Sequence, residues 1–158
     1  MSQEVSRFDG ESGLPPAVYQ ALQTFKAGVL STGLMMFILV VAEAEARFEL
    51  GVPAAVAGFV GMPNRLYLGF IAFVLFGIVV WPLLFAAVEG RMTSLPGGDD
   101  IGIRGILFAL VLWVAFLVLG SAGLHLAGPF LVLYLVFSLI AHLAYGYSLG
   151  VLYGRFTR

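Results

Sequence analysis

Of 158 residues, 61% are hydrophobic and only 11% are charged, against roughly a quarter charged in an ordinary soluble domain, which argues against a water-soluble fold. A formal charge of −1, with only eight Lys plus Arg, leaves no basic face able to neutralise a run of phosphates, so nucleic acid is excluded as a partner. The absence of cysteine removes disulfides, thiolate metal sites, iron–sulfur clusters and thiol nucleophiles together.

The opening stretch MSQEVSRFDGESGLPPAVYQALQTFK lacks a basic region running into a short apolar core and a small-residue cleavage site, and so does not read as a removable signal peptide. Residues 1–24 are expected to form a polar N-terminal segment and residues 25–158 a single transmembrane domain. The first apolar run begins at Ala27 and reaches Ala46 through a Glu-Ala alternation, about 20 residues, the thickness of a bilayer core. The piece that follows, RFELGVPAAVAGFVGMPNR, holds an apolar stretch opened by Pro53 and closed by Gly61 and Pro63. It is too short to cross, and is expected to be a short helix at the interface or tucked against the bundle.

Leu66 to Val88 carries no charge, and Trp81-Pro82 near its end predicts a kinked second span. EGRMTSLPGGDDIG, rich in Gly, Pro and charge, reads as a turn, with a possible N-cap ahead of the third span. The third and fourth spans, about 105–124 and 130–153, are joined by so few residues that they must be antiparallel neighbours. One side of this layout holds Arg7, Lys26, Arg91, Arg104, Arg155 and Arg158, and the other only Arg47 and Arg65. The excess marks the cytoplasmic side, so both termini are expected inside, in a multi-pass protein of the cell membrane.

The most informative pattern lies in the fourth span, where Ser138, His142, Gly146, Gly150 and Gly154 recur every fourth residue and share one face. Small residues at that spacing let helix backbones approach closely in lipid, where no hydrophobic drive brings helices together. The face is therefore either an interface with another subunit or a packing surface for the first or second span of the same chain. Gly28 and Thr32 in the first span and Gly69 and Gly77 in the second are weaker counterparts.

His142 falls about halfway along its span, where an ionisable side chain is costly and marks a candidate for function. It either bonds a neighbour such as Ser138 and locks the bundle, or takes part in a proton path or cofactor contact. Haem ligation by this chain alone is disfavoured, because His125 in the opposite turn lies about 17 to 20 Å away at 1.5 Å per residue. Glu43, Glu45 and Glu49 form an acidic cluster on the outer side. They read either as a cation or proton site or as a solvated helix end balanced by Arg47 and Arg65. Trp81, Trp113, Tyr145, Tyr147 and Tyr153 read as interface anchors or packing. No hydrolase elbow, phosphate loop, zinc helix or intramembrane carboxylate cluster is present, so no catalytic residue, metal or cofactor is assigned and no enzyme is expected.

Across RFELGVPAAVAGFVGMPNRLYLGF, WPLLFAAVE and above all LYLVFSLIAHLAYGYSLGVLYGR, the chain resembles a family of small four-helix membrane proteins of unknown function from haloarchaea. The resemblance runs from Phe25 to Arg155, with its most specific part at His142 to Gly150. Members of that family often accompany haem–copper terminal oxidases, which implies an accessory subunit of a respiratory complex. The expected fold is thus all-α, four transmembrane helices with a short interfacial helix between the first two. The expected function is a non-catalytic accessory subunit whose partners are the lipid bilayer and other membrane protein subunits. A small homo-oligomeric channel or carrier for protons or a small solute is the alternative.

Overall fold

The computed structural model describes residues 14–47, 50–120 and 128–157; they are helical, with no strand among them. Four helical stretches are long and apolar enough to cross a membrane: Pro16–Ala46, Leu66–Ser94, Ile101–Val118 and Pro129–Thr157. Their outward faces carry Phe37, Val40, Val111, Val118 and Val132, all exposed. Large apolar side chains on the outside and backbone hydrogen bonds closed within each helix are what a hydrocarbon surround requires. The chain is a multi-pass membrane protein.

Helix α1 (Pro16–Ala46) starts where Pro15-Pro16 places a proline in the first turn, a position whose N–H has no helical partner anyway. It is longer at its start than hydropathy suggests. Residues 16–24, expected in the polar N-terminal segment, are already helix, and Gln23 and Thr24 are buried. Lys26 ended the apolar run in the sequence, but a helix needs propensity and packing rather than apolarity, and Ala17, Gln20, Ala21 and Leu22 supply the propensity. The Gln20 side-chain amide also reaches the Tyr153 hydroxyl. At the far end Arg47 turns left-handed, and its N–H closes on the Glu43 carbonyl.

Helix α2 (Val52–Phe59) begins after a left-handed Gly51 with Pro53 in its first turn. It ends where the Met62 N–H reaches the Ala57 carbonyl and Gly61 takes φ 74°. The second span is composite: α3 (Leu66–Leu75), a π-helical turn (Phe76–Val80), α4 (Trp81–Val88) and a 3₁₀ turn (Glu89–Ser94). Helix α5 (Ile101–Gly120) is capped by Asp100, whose Oδ1 accepts from the N–H groups of Gly102 (2.6 Å) and Ile103 (3.2 Å). Helix α6 (Pro129–Thr157) follows a left-handed Gly128 and again opens on proline. It continues past residue 153, with Gly154 buried.

Helix α6 is the central element, held between α1 on one side and α5 on the other. The composite span packs on α1, and α2 lies chiefly against α3, with a smaller contact to α5. A side chain at Gly69 would collide with the Pro53 carbonyl, so this glycine is what lets α2 sit down on α3.

Candidate functional site

The four-residue stripe of α6 faces α5 along its whole length. A methyl group at Gly146 would collide with the Gly105 carbonyl and the Ala109 Cβ, and one at Gly150 would collide with the Ile101 carbonyl. At Gly154 it would press on the Ile101 side chain at 3.0 Å. Further along, the Trp113 indole N–H donates to Ser138 Oγ at 3.0 Å, and the Phe116 ring lies 5.6 Å from the His142 ring. Gly146, Gly150 and Gly154 are thus occupied by the third span of the same chain, rather than by the first or second. The weaker counterparts meet each other instead. Gly28 lies on Pro82 and the Ile78 carbonyl, and Gly77 on Thr32, which joins α1 to the bent second span.

The bend has a specific chemistry. In the π-helical turn the Trp81 N–H reaches back five residues to the Phe76 carbonyl. Pro82 has no N–H to offer, so the Gly77 carbonyl receives neither backbone donor. The Tyr145 hydroxyl of α6 fills that gap, donating to the Gly77 oxygen at 2.8 Å. In hydrocarbon an orphaned carbonyl costs several kcal/mol, and a neighbouring helix that supplies the donor makes a proline bend tolerable. Tyr145, read in the sequence as an anchor or as packing, is therefore the group that ties α6 to the bend.

Between these two features lies a cavity of about 140 Å³. Its walls come from every helix: Met35 and Leu39 of α1, Val56 of α2, Phe73 of α3, Leu112 and Phe116 of α5, His142 and Tyr145 of α6. Helix α2 covers it from the end that holds Glu43. The opposite direction is closed by Phe85, Phe108 and Tyr153, whose rings pack at 5.5 Å around a fully buried Phe85. Beyond that layer Arg104 pairs with Glu89, and its guanidinium also donates to the Glu89 carbonyl at 3.3 Å. Arg104 is 6% exposed, so this pair fastens α5 to the end of the second span in a partly dry setting.

His142, 9% exposed, stands on the cavity wall with Nδ1 2.7 Å from the Ser138 carbonyl oxygen. A carbonyl only accepts, so Nδ1 carries the hydrogen and donates, which makes Nε2 of the neutral ring an acceptor. The Ser138 hydroxyl is fully used, accepting from Trp113 and donating to the Leu135 carbonyl at 3.2 Å.

The acidic cluster is not brought together as a site. Glu43 is spent on the chain reversal, its Oε1 accepting from the Leu50 N–H at 2.9 Å, while Glu45 is exposed. Glu49 and His125 lie outside the described residues, and among those described no group of three or more His, Asp or Glu could hold a metal ion.

Sequence reasoning missed Gly105 and Ala109, the α5 residues that meet the glycines of the stripe, and read Trp113 only as an anchor or as packing. The signal was there: Gly105-x-x-x-Ala109 has small-residue spacing, and the short link between the third and fourth spans already made them neighbours. The π-helical turn left no such trace beyond the proline.

No curated protein and no solved structure matches the chain. A family of unknown function, DUF6789, is matched by residues 18–158, which take in every helix except the first residues of α1. The chain belongs to the DUF6789 family.

Proposed function

We propose that this chain is a non-catalytic accessory subunit of a larger membrane complex, with both termini cytoplasmic and α2 on the outer side. The reading is carried by how the polar side chains inside the bundle are used. Tyr145 holds the Gly77 carbonyl, Trp113 holds Ser138, His142 bonds the Ser138 carbonyl and Thr24 bonds the Gln20 carbonyl at 2.8 Å. The Tyr145 and Trp113 bonds cross between helices while those of His142 and Thr24 stay within α6 and α1, and polar groups spent in this way favour a scaffold over a site that turns over a substrate. With the glycine face covered by α5, the partner would meet the exposed apolar side of α1, α3 or α5. The end with Lys26, Arg91, Arg104 and Arg155 would lie inside by the excess of basic residues.

The resemblance centred on His142 to Gly150 makes a haem–copper terminal oxidase the first complex to test. Solubilisation of native membranes in a mild detergent, followed by mass spectrometry of the intact assembly, should find the chain bound to larger subunits. A chain that always runs alone, with normal oxidase activity when its gene is deleted, would overturn the proposal. The channel reading has to carry its solute past the packed rings of Phe85, Phe108 and Tyr153, which weighs against it. Proteoliposome flux that is lost in His142→Ala would restore it.

A further inference from the structure

Three observations about the cavity combine into more than packing. Its volume, about 140 Å³, matches that of an apolar protein cavity known to take up a single benzene ring. Its wall is largely aliphatic and aromatic, and the hydroxyls of Ser138 and Tyr145 on that wall already have acceptors. His142 Nε2 on the same wall is an acceptor with no partner among the described residues, on a side chain more than nine-tenths buried, and the lining Trp81 adds an indole N–H. An acceptor that faces an apolar cavity without a partner is destabilising, and its complement is a donor carried on an otherwise apolar guest.

The way in is from the side. Phe59 of α2 is 44% exposed while lining the cavity, and Ala115 of α5 is exposed and also lines it. The mouth thus opens on the outward, apolar surface near α2 and α5. No charged side chain lines the cavity, which disfavours an ion or a charged headgroup. The geometry points to a binding site for a neutral, lipid-dissolved molecule whose head is one hydroxylated ring, a phenol in chemical class, with its hydroxyl donating to His142 Nε2. Any tail on such a molecule stays in the lipid outside the mouth. This goes beyond the accessory role and does not depend on it.

The test uses the isolated full chain in lipid nanodiscs with 15N-labelled histidine, and p-cresol and toluene as probes of equal size with and without the donor. p-Cresol should move the His142 Nε2 resonance saturably. Toluene should compete about tenfold more weakly, the worth of one buried hydrogen bond. Ala115→Trp, at an exposed position where folding tolerates bulk, should close the mouth and abolish the saturable shift. His142→Phe keeps an apolar ring on the wall and should remove the preference for p-cresol over toluene, read by ligand-observed NMR. A resonance that does not saturate, a shift that survives Ala115→Trp, or an unchanged preference in His142→Phe would each overturn the site. None of these results bears on whether the chain co-purifies with a larger complex, so the two proposals fail separately.

Discussion

The two halves of the α5–α6 contact use one repeat to opposite ends. Toward Arg104, Gly146 and Gly150 face Gly105, Gly102 and Ile101, the two backbones touch, and no space remains. Toward the middle of the bundle the same stripe continues as Ser138 and His142, but α5 presents Trp113 and Phe116 there. The helices are held apart by side chains, joined by hydrogen bonds, and bordered by a cavity. A four-residue period thus specifies which face of a helix is used, while the residues opposite decide whether that face becomes a close contact or a pocket. Stability comes from dispersion over short distances in the first half and from a few directional bonds in the second.

The hardest way to break this contrast is Gly146→Leu, which drives a branched side chain into the Gly105 backbone. Overpacking against backbone that cannot move aside should cost about 3 kcal/mol or more, read as a lower midpoint in reversible SDS unfolding from bicelles. A wild-type midpoint would mean that the backbones do not touch.

Tyr145→Phe comes next. It strands the Gly77 carbonyl and should cost about 1 to 2 kcal/mol by the same measurement. The loss has a built-in control: in Pro82→Ala a backbone N–H returns at residue 82, and adding Tyr145→Phe to that variant should then cost little. A double-mutant cycle showing no coupling between positions 82 and 145 would contradict the account of the bend.

Ser138→Ala removes the acceptor for Trp113 in the polar half. An interhelical bond of this kind in a membrane averages about 0.6 kcal/mol, so the midpoint should shift only slightly while the Trp113 emission changes. The smallest effect belongs to Gly33→Ala, at an exposed glycine of α1 with nothing within 4 Å of an added Cβ. It should be neutral or stabilising by up to about 1 kcal/mol, since alanine is the better helix former. The spread from Gly146 to Gly33 then measures how much of a membrane glycine's value lies in what stands opposite it.

Much of the molecule was legible in the residues. The apolar runs from Ala27 and Leu66, the turn at Gly97-Gly98 and the pairing of the last two spans follow from hydropathy, turn chemistry and loop length, while the third span, expected from about 105, starts at Ile101 behind the Asp100 cap. The start of α1 was misplaced because hydropathy stops at Lys26 whereas helix formation does not. The stripe on α6 is visible in the residues, but its partner stayed open between another subunit and the first or second span, because Gly105 and Ala109 stand among the large apolar residues of α5.

What the amino-acid sequence determined by itself is the set of spans and the face each one uses. Run length against bilayer thickness and the period of small residues are properties of a segment considered alone. The tertiary structure decided which faces meet, that the Gly77 carbonyl loses its backbone donors and recovers one from Tyr145, and that Nε2 of His142 is left open on a cavity. Those outcomes depend on residues far apart in the chain arriving at one depth in the membrane, and shape complementarity between them is not a property of either segment.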